Sequence, residues 1–134
     1  MANALYDGGR EGILDDSIAM STASIKALLA TSGYTPNLAT HRNVSDVASG
    51  NIIARSGAFT SKTFTAGVFN AANVTFAAVT GAAVSYIAIY VDTGTDSTSR
   101  LIALIDTATG LPVTPNGGDI TITWDTGANK IFKL

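Results

Sequence analysis

Apolar and polar positions alternate in short runs through the last third of the chain. Val84–Val91 and Leu101–Ile105 are apolar almost throughout, and residues 120–124 alternate. Between them lie Asp92-Thr-Gly-Thr-Asp96 and the glycine- and proline-rich residues 110–118. Repeated strand–turn units of this kind predict an all-β sandwich or barrel. In 84–91, Ile87, Ile89 and Val91 form one face and Tyr86, Ala88 and Tyr90 the other. Both faces are apolar, which predicts a central strand, and Leu101–Ile105 reads the same way. In 120–124, Ile120, Ile122 and Trp124 point inward and the two threonines outward. A last strand over 131–134 is expected to pair with it across the turn at 125–129.

Further strands are expected at 52–54, at 62–66 after a turn near Gly57, and at 73–79, where Val74, Phe76 and Ala78 face inward. In 24–30, Ile25, Ala27 and Leu29 recur at period two. That favours a strand, while the Ala and Leu content keeps a helix open. About eight strands result, enough for two antiparallel sheets packed face to face in a jelly-roll-like sandwich. The best helix candidate spans residues 3–14, with Asn3 as cap and Leu5, Tyr6, Ile13 and Leu14 on one side. Gly8, Gly9 and Gly12 each cost up to about 1 kcal/mol relative to Ala, so docking must hold this helix. Residues 31–50 form a long polar stretch, with one helical turn expected at 44–47. Loops of this length are uncommon in compact domains. The expected organisation is one domain over 1–134, with residues 1–16 as a docked N-terminal segment.

Composition narrows the function. Charged residues make up 13% of the 134, about half the usual share of roughly 25%. A surface covered by Thr, Ser, Asn, Gly and Ala suits packing against protein, because burying a hydroxyl costs less than burying a charge. Cysteine is absent, which removes thiolate catalysis, disulfides and zinc knuckles together. The eight basic residues are scattered and the net charge is −2, so the basic stripe of a nucleic-acid binder is missing. No apolar run reaches the ~20 residues of a spanning helix. Neither a nucleic acid nor a membrane is therefore expected as a partner.

Candidate chemistry is sparse. Asp92-Thr-Gly94 and Asp125-Thr-Gly127 both match the loop that carries the catalytic carboxylate of aspartic proteases, where two aspartates share a proton. No bracing apolar-apolar-Gly segment follows either of them. Asp-Thr-Gly is also ordinary turn chemistry, with the Asp side chain bonding backbone and Gly taking positive φ. Asp92 and Asp96 fall short of a calcium loop, which brings more ligands in a set pattern. His41 is the single histidine and Glu11 the single glutamate, too few for a histidine metal site or a tuned acid–base pair. No catalytic residue, cofactor, metal or small-molecule substrate is expected. Tyr86 and Tyr90, two apart on one strand, are the best pair for a sugar-binding platform, with core packing the alternative.

Two stretches carry a resemblance. The first is Met1-Ala-Asn-Ala-Leu-Tyr-Asp7 with Gly9-Arg-Glu-Gly12 and Ile25-Lys26. The second runs from Leu101-Ile-Ala-Leu-Ile-Asp-Thr-Ala-Thr-Gly110 through Leu-Pro-Val-Thr-Pro-Asn-Gly-Gly-Asp-Ile-Thr-Ile-Thr-Trp124. Both resemble small structural proteins encoded among the head genes of tailed bacteriophages, some of which decorate or cement capsids. The likeness runs the length of the chain and is strongest at its two ends. Gly8 and Gly12 depart from the helix formers expected in the opening segment. The resemblance implies a non-enzymatic virion protein at the capsid surface, made in the host cytoplasm. Its implied partners are the major capsid protein and further copies of itself. The alternative is a tail- or fibre-associated sandwich binding host glycan or receptor. The two segments expected to order on binding, 1–16 and 31–50, supply the expected contact residues Leu5, Tyr6, Arg10, Leu14, His41 and Arg42.

Overall fold

A computed structural model describes residues 4–106, 111–124 and 130–133. In chain order the elements are β1 (Ala4–Leu5), α1 (Asp7–Leu14), β2 (Ile25–Thr31), β3 (Ile52–Arg55), β4 (Thr63–Thr65), β5 (Val68–Asn70), β6 (Val74–Phe76), β7 (Val84–Val91), β8 (Leu101–Ile105), β9 (Ile120–Ile122) and β10 (Phe132–Lys133). Two single 3-10 turns, Val44–Asp46 and Ser49–Asn51, precede β3. The all-β antiparallel architecture matches the expectation from the strand pattern.

The body is a five-stranded sheet in the order β1-β8-β7-β2-β3. β7 lies at its centre and β8 beside it, as their two-sided apolar pattern requires. One face of the sheet contributes Ile25, Ala27, Leu29, Ile87 and Ile89 to the main core. That face is covered by a second layer, split into a three-stranded sheet (β10-β5-β4) and a two-stranded one (β6-β9). Phe69, Phe76, Ile122 and Trp124 come from that layer. The opposite face contributes Leu28, Ala30, Ala88, Tyr90, Leu101 and Leu104 to a second cluster. It is covered by Tyr6, Tyr34, Val44 and Val47. The long polar stretch at 31–50 is thus a lid on the protein's own sheet, anchored by the few apolar residues it carries.

Several expectations are corrected. Among the described residues ten strands form three sheets in two layers, where about eight strands in two sheets were expected. β10 pairs with β5, with Phe132 opposite Phe69, and β9 pairs with β6; the expected turn at 125–129 lies outside the described residues. Ala78 is exposed, because positive φ there turns the chain and Val79 takes the buried place. Helix α1 begins at Asp7, so Leu5 belongs to β1 and Tyr6 sits in extended backbone at the cap. The expected cap Asn3 lies outside the described residues. β5 had no counterpart in the pattern. It forms a hairpin with β4 through Ala66 and Gly67, both at positive φ, as a two-residue type I′ turn demands.

Candidate interaction surface

The docking of the N-terminal segment starts from an irregularity in β8. Ile89 pairs with Ala103 but Tyr90 pairs with Leu101, so Ile102 is one residue extra. A bulge of this kind re-aims its backbone groups. The Ile102 carbonyl accepts a hydrogen bond from the Tyr6 N–H at 2.9 Å. Helix α1 then lies directly on the strand. A Cβ on Gly9 would stand 2.7 Å from the Ile102 oxygen and 2.8 Å from its Cα. One on Gly12 would stand 2.4 Å from the Ile18 side chain. Glycines that weaken a free helix are what allow this one to touch backbone, and Gly8, Gly9 and Gly12 are all buried. Asp7 N–H donates to the Leu38 carbonyl at 2.9 Å, and Arg100 donates to the carbonyl of Gly8.

Beneath the helix start runs a buried polar chain. The Tyr6 and Tyr34 hydroxyls are 2.8 Å apart, and the Tyr34 hydroxyl lies 2.9 Å from His41 Nδ1. Backbone N–H of Asn37 also donates to that nitrogen at 3.3 Å. Nδ1 is therefore the acceptor, Tyr34 donates to it, and Tyr6 donates to Tyr34. Burial raises the pKa of both phenols, most for Tyr6, so they act as neutral donors. The His41 ring also stacks on Tyr34 at 5.6 Å. Arg42 bridges loop and helix through Glu11 at 2.7 Å, while its backbone N–H donates to the Asp46 carboxylate.

Of the six expected contact residues, four are thus engaged inside the molecule. Leu5 and Tyr6 are buried, His41 is half-buried, and Arg42 is held by Glu11. Arg10 is exposed and makes a surface ion pair with Asp7 at 3.3 Å. Leu14 is 85% exposed. Arg10 and Leu14 line one groove of about 270 Å³ with Leu5 and Lys133. Ile13, the neighbour of Leu14, opens onto a second, almost wholly apolar hollow of about 190 Å³ with Met20, Phe64, Val68 and Phe132. Phe64 is 46% exposed. The end of α1 and the β4–β5 hairpin therefore carry the two exposed large hydrophobic side chains among the described residues. Sequence reasoning named Leu14 but missed Phe64. The available signal was Thr63-Phe-Thr-Ala-Gly-Val-Phe-Asn70, an alternating run with glycine at its middle.

The acidic turn is structural. Asp92 Oδ1 accepts from Gly94 N–H at 2.9 Å, with Gly94 at positive φ, and Oδ2 accepts from Lys26 at 2.6 Å. Asp96 takes both Nη atoms of Arg55 at 2.7 and 2.8 Å. These bonds hold both carboxyls below the usual carboxylate range. Asp125 lies outside the described residues. Tyr90 is 1% exposed and Tyr86 half-buried against Tyr34, so the pair offers no open sugar platform. No group of three or more metal-ligating side chains converges among the described residues. No protein-family model and no curated protein matches the chain.

Proposed function

We propose that this chain is a non-enzymatic structural component of a tailed-bacteriophage virion, most simply a capsid decoration or cement protein. Its partners in this reading are the major capsid protein and further copies of itself. The observation that carries the reading beyond the resemblance of the two terminal stretches is the groove lined by Arg10, Leu14 and Lys133. The nearly bare side chain of Leu14 stands there beside two cationic ones, on a chain whose charge is otherwise sparse. Such a patch gains by covering against protein, and the rigid sheet behind it gives up little conformational entropy on binding. Bound to an assembled head, each copy stabilises the shell by RT ln(1 + [L]/Kd) per site.

The test is sedimentation of purified chain with expanded heads that lack it. The expected outcome is co-sedimentation at a fixed ratio to the major capsid protein. Chain left wholly in the supernatant at about 10 µM, where a standard-sized interface is occupied, overturns the reading.

A further inference from the structure

We propose that the open edge of β4 is a homodimer interface, at which two copies of the chain pair Thr63-Phe64-Thr65 antiparallel about a two-fold axis through Phe64. Among the described residues β4 ends the three-stranded sheet, and Thr63, Phe64 and Thr65 are all exposed. The direction of its free backbone groups follows from the neighbouring strand. The Phe69 carbonyl accepts from Ile131 N–H at 3.1 Å, so Phe69 faces β10, away from β4. Phe64 and Phe69 are opposite one another and form the non-hydrogen-bonded pair of that ladder. The N–H and C=O of Phe64 accordingly point out over the open edge.

An edge of this kind is a template for another strand, and folded proteins usually blunt it with charge, proline or a bulge. None of these interrupts β4. The only charged residue from 60 to 70 is Lys62, and its ammonium is turned back onto the carbonyls of Met20 and Ala23 at 3.0 and 2.8 Å. The strand also reads the same in both directions. Two-fold pairing about Phe64 sets Phe64 opposite Phe64, Thr63 opposite Thr65 in both directions, and Lys62 opposite Ala66. Aromatic and Thr–Thr cross-strand pairs are both favourable, and no like charges meet. A two-fold contact needs this self-complementarity.

The side chains supply the second reason. Phe132, Phe69 and Phe64 form one row across the sheet, with ring centroids 5.2 and 5.5 Å apart. The row is buried at Phe69 and ends half in water at Phe64. A second copy continues it as Phe64-Phe69-Phe132 of the partner and covers that exposed ring. The occupant is therefore another copy of this chain, chosen by the palindrome and the aromatic row together. The inference does not rest on the capsid reading: a dimer that ignores heads leaves it standing and removes that reading.

Sedimentation velocity from about 1 µM to about 1 mM spans the affinities of a small interface. The expected result is a rise from 13.7 kDa to twice that mass. Phe64→Lys and Thr65→Lys should each remain monomeric throughout, with an unchanged circular-dichroism spectrum. The chain has no cysteine of its own, so register can be read by oxidation. Phe64→Cys should cross-link readily, and so should Thr63→Cys mixed with Thr65→Cys. Thr63→Cys alone should lag, as should the remote control Ser97→Cys. A wild-type monomer across the whole range overturns the inference. So does a dimer that survives Thr65→Lys, or Phe64→Cys that links no faster than the control.

Discussion

β7 and β4 belong to one chain and stand at opposite limits of satisfaction. β7 has a hydrogen-bonded neighbour on each edge and a hydrophobic cluster on each face. β4 has one neighbour among the described residues, and all three of its residues are exposed. Both carry β-forming residues. The difference lies in what the rest of the chain places around them. β2 and β8 flank β7, while the N-terminal segment and the 31–50 lid seal its second face. β4 receives only its hairpin partner. Stability is therefore concentrated in the five-stranded sheet, and the capacity for contact is concentrated at the hairpin and the adjoining end of α1.

That contrast can be broken by substitution. Ile89→Ala, at a fully buried site in β7, should cost about 2–5 kcal/mol, read as a lower midpoint of urea unfolding. That is a large part of a domain's total of roughly 5–15 kcal/mol. Gly9→Ala should cost about 1–3 kcal/mol, because the new methyl meets backbone atoms of Ile102; the gain in helix propensity is outweighed. Gly50→Ala, with nothing within 4 Å of the new carbon, is the matching control and should leave the midpoint almost unmoved. Tyr6→Phe should cost about 0.5–1.5 kcal/mol, the usual net worth of one hydrogen bond, since Tyr34 keeps its bond to His41.

Acid sharpens the same contrast from the surface. Asp92 and Asp96 have folded pKa values lowered by Lys26 and Arg55 respectively. A depressed folded pKa adds stability that is complete above the unfolded value, near 3.8, and fades as pH falls through the folded one. Asp92→Asn should therefore flatten the decline of melting temperature below about pH 4. At neutral pH and physiological salt its effect should be small, because exposed pairs are screened. Smallest of all is Phe64→Ala. It should change monomer stability by under about 1 kcal/mol, in line with a half-exposed site, while weakening the dimer severalfold without abolishing it, since the strand pairing remains. Its readouts are the urea midpoint and sedimentation velocity.

The central strands were readable because burial on both faces leaves an unambiguous mark. Val84–Val91 and Leu101–Ile105 are continuous apolar runs, and the structure places them at the centre with the expected bounds. The acidic turn was readable from Asp-Thr-Gly chemistry alone. The N-terminal segment was readable from its glycines as a helix that docking must hold, while the strand it docks on was not. The cost of those glycines is real in isolation, but the bulge at Ile102 turns a missing Cβ into a close backbone contact. Tyr6 and His41 were expected at a contact because they lie on the two segments expected to order on binding. Tyr34 lies far off in sequence from Tyr6, and only the fold brings the two hydroxyls together to bury them. β5 was missed because three residues, Val68-Phe-Asn70, leave too short a period to register. Its presence draws β10 away from β9, which strand-by-strand reading had paired by sequence proximity.

The most direct measurement is the binding isotherm of Leu14→Asp on expanded heads, beside that of the unaltered chain. Leu14 is nearly bare, so the two proteins should melt at the same temperature. If the end of α1 meets the capsid, the aspartate should weaken binding at least about tenfold, equivalent to some 1.4 kcal/mol. Identical isotherms from two equally folded proteins would contradict the account.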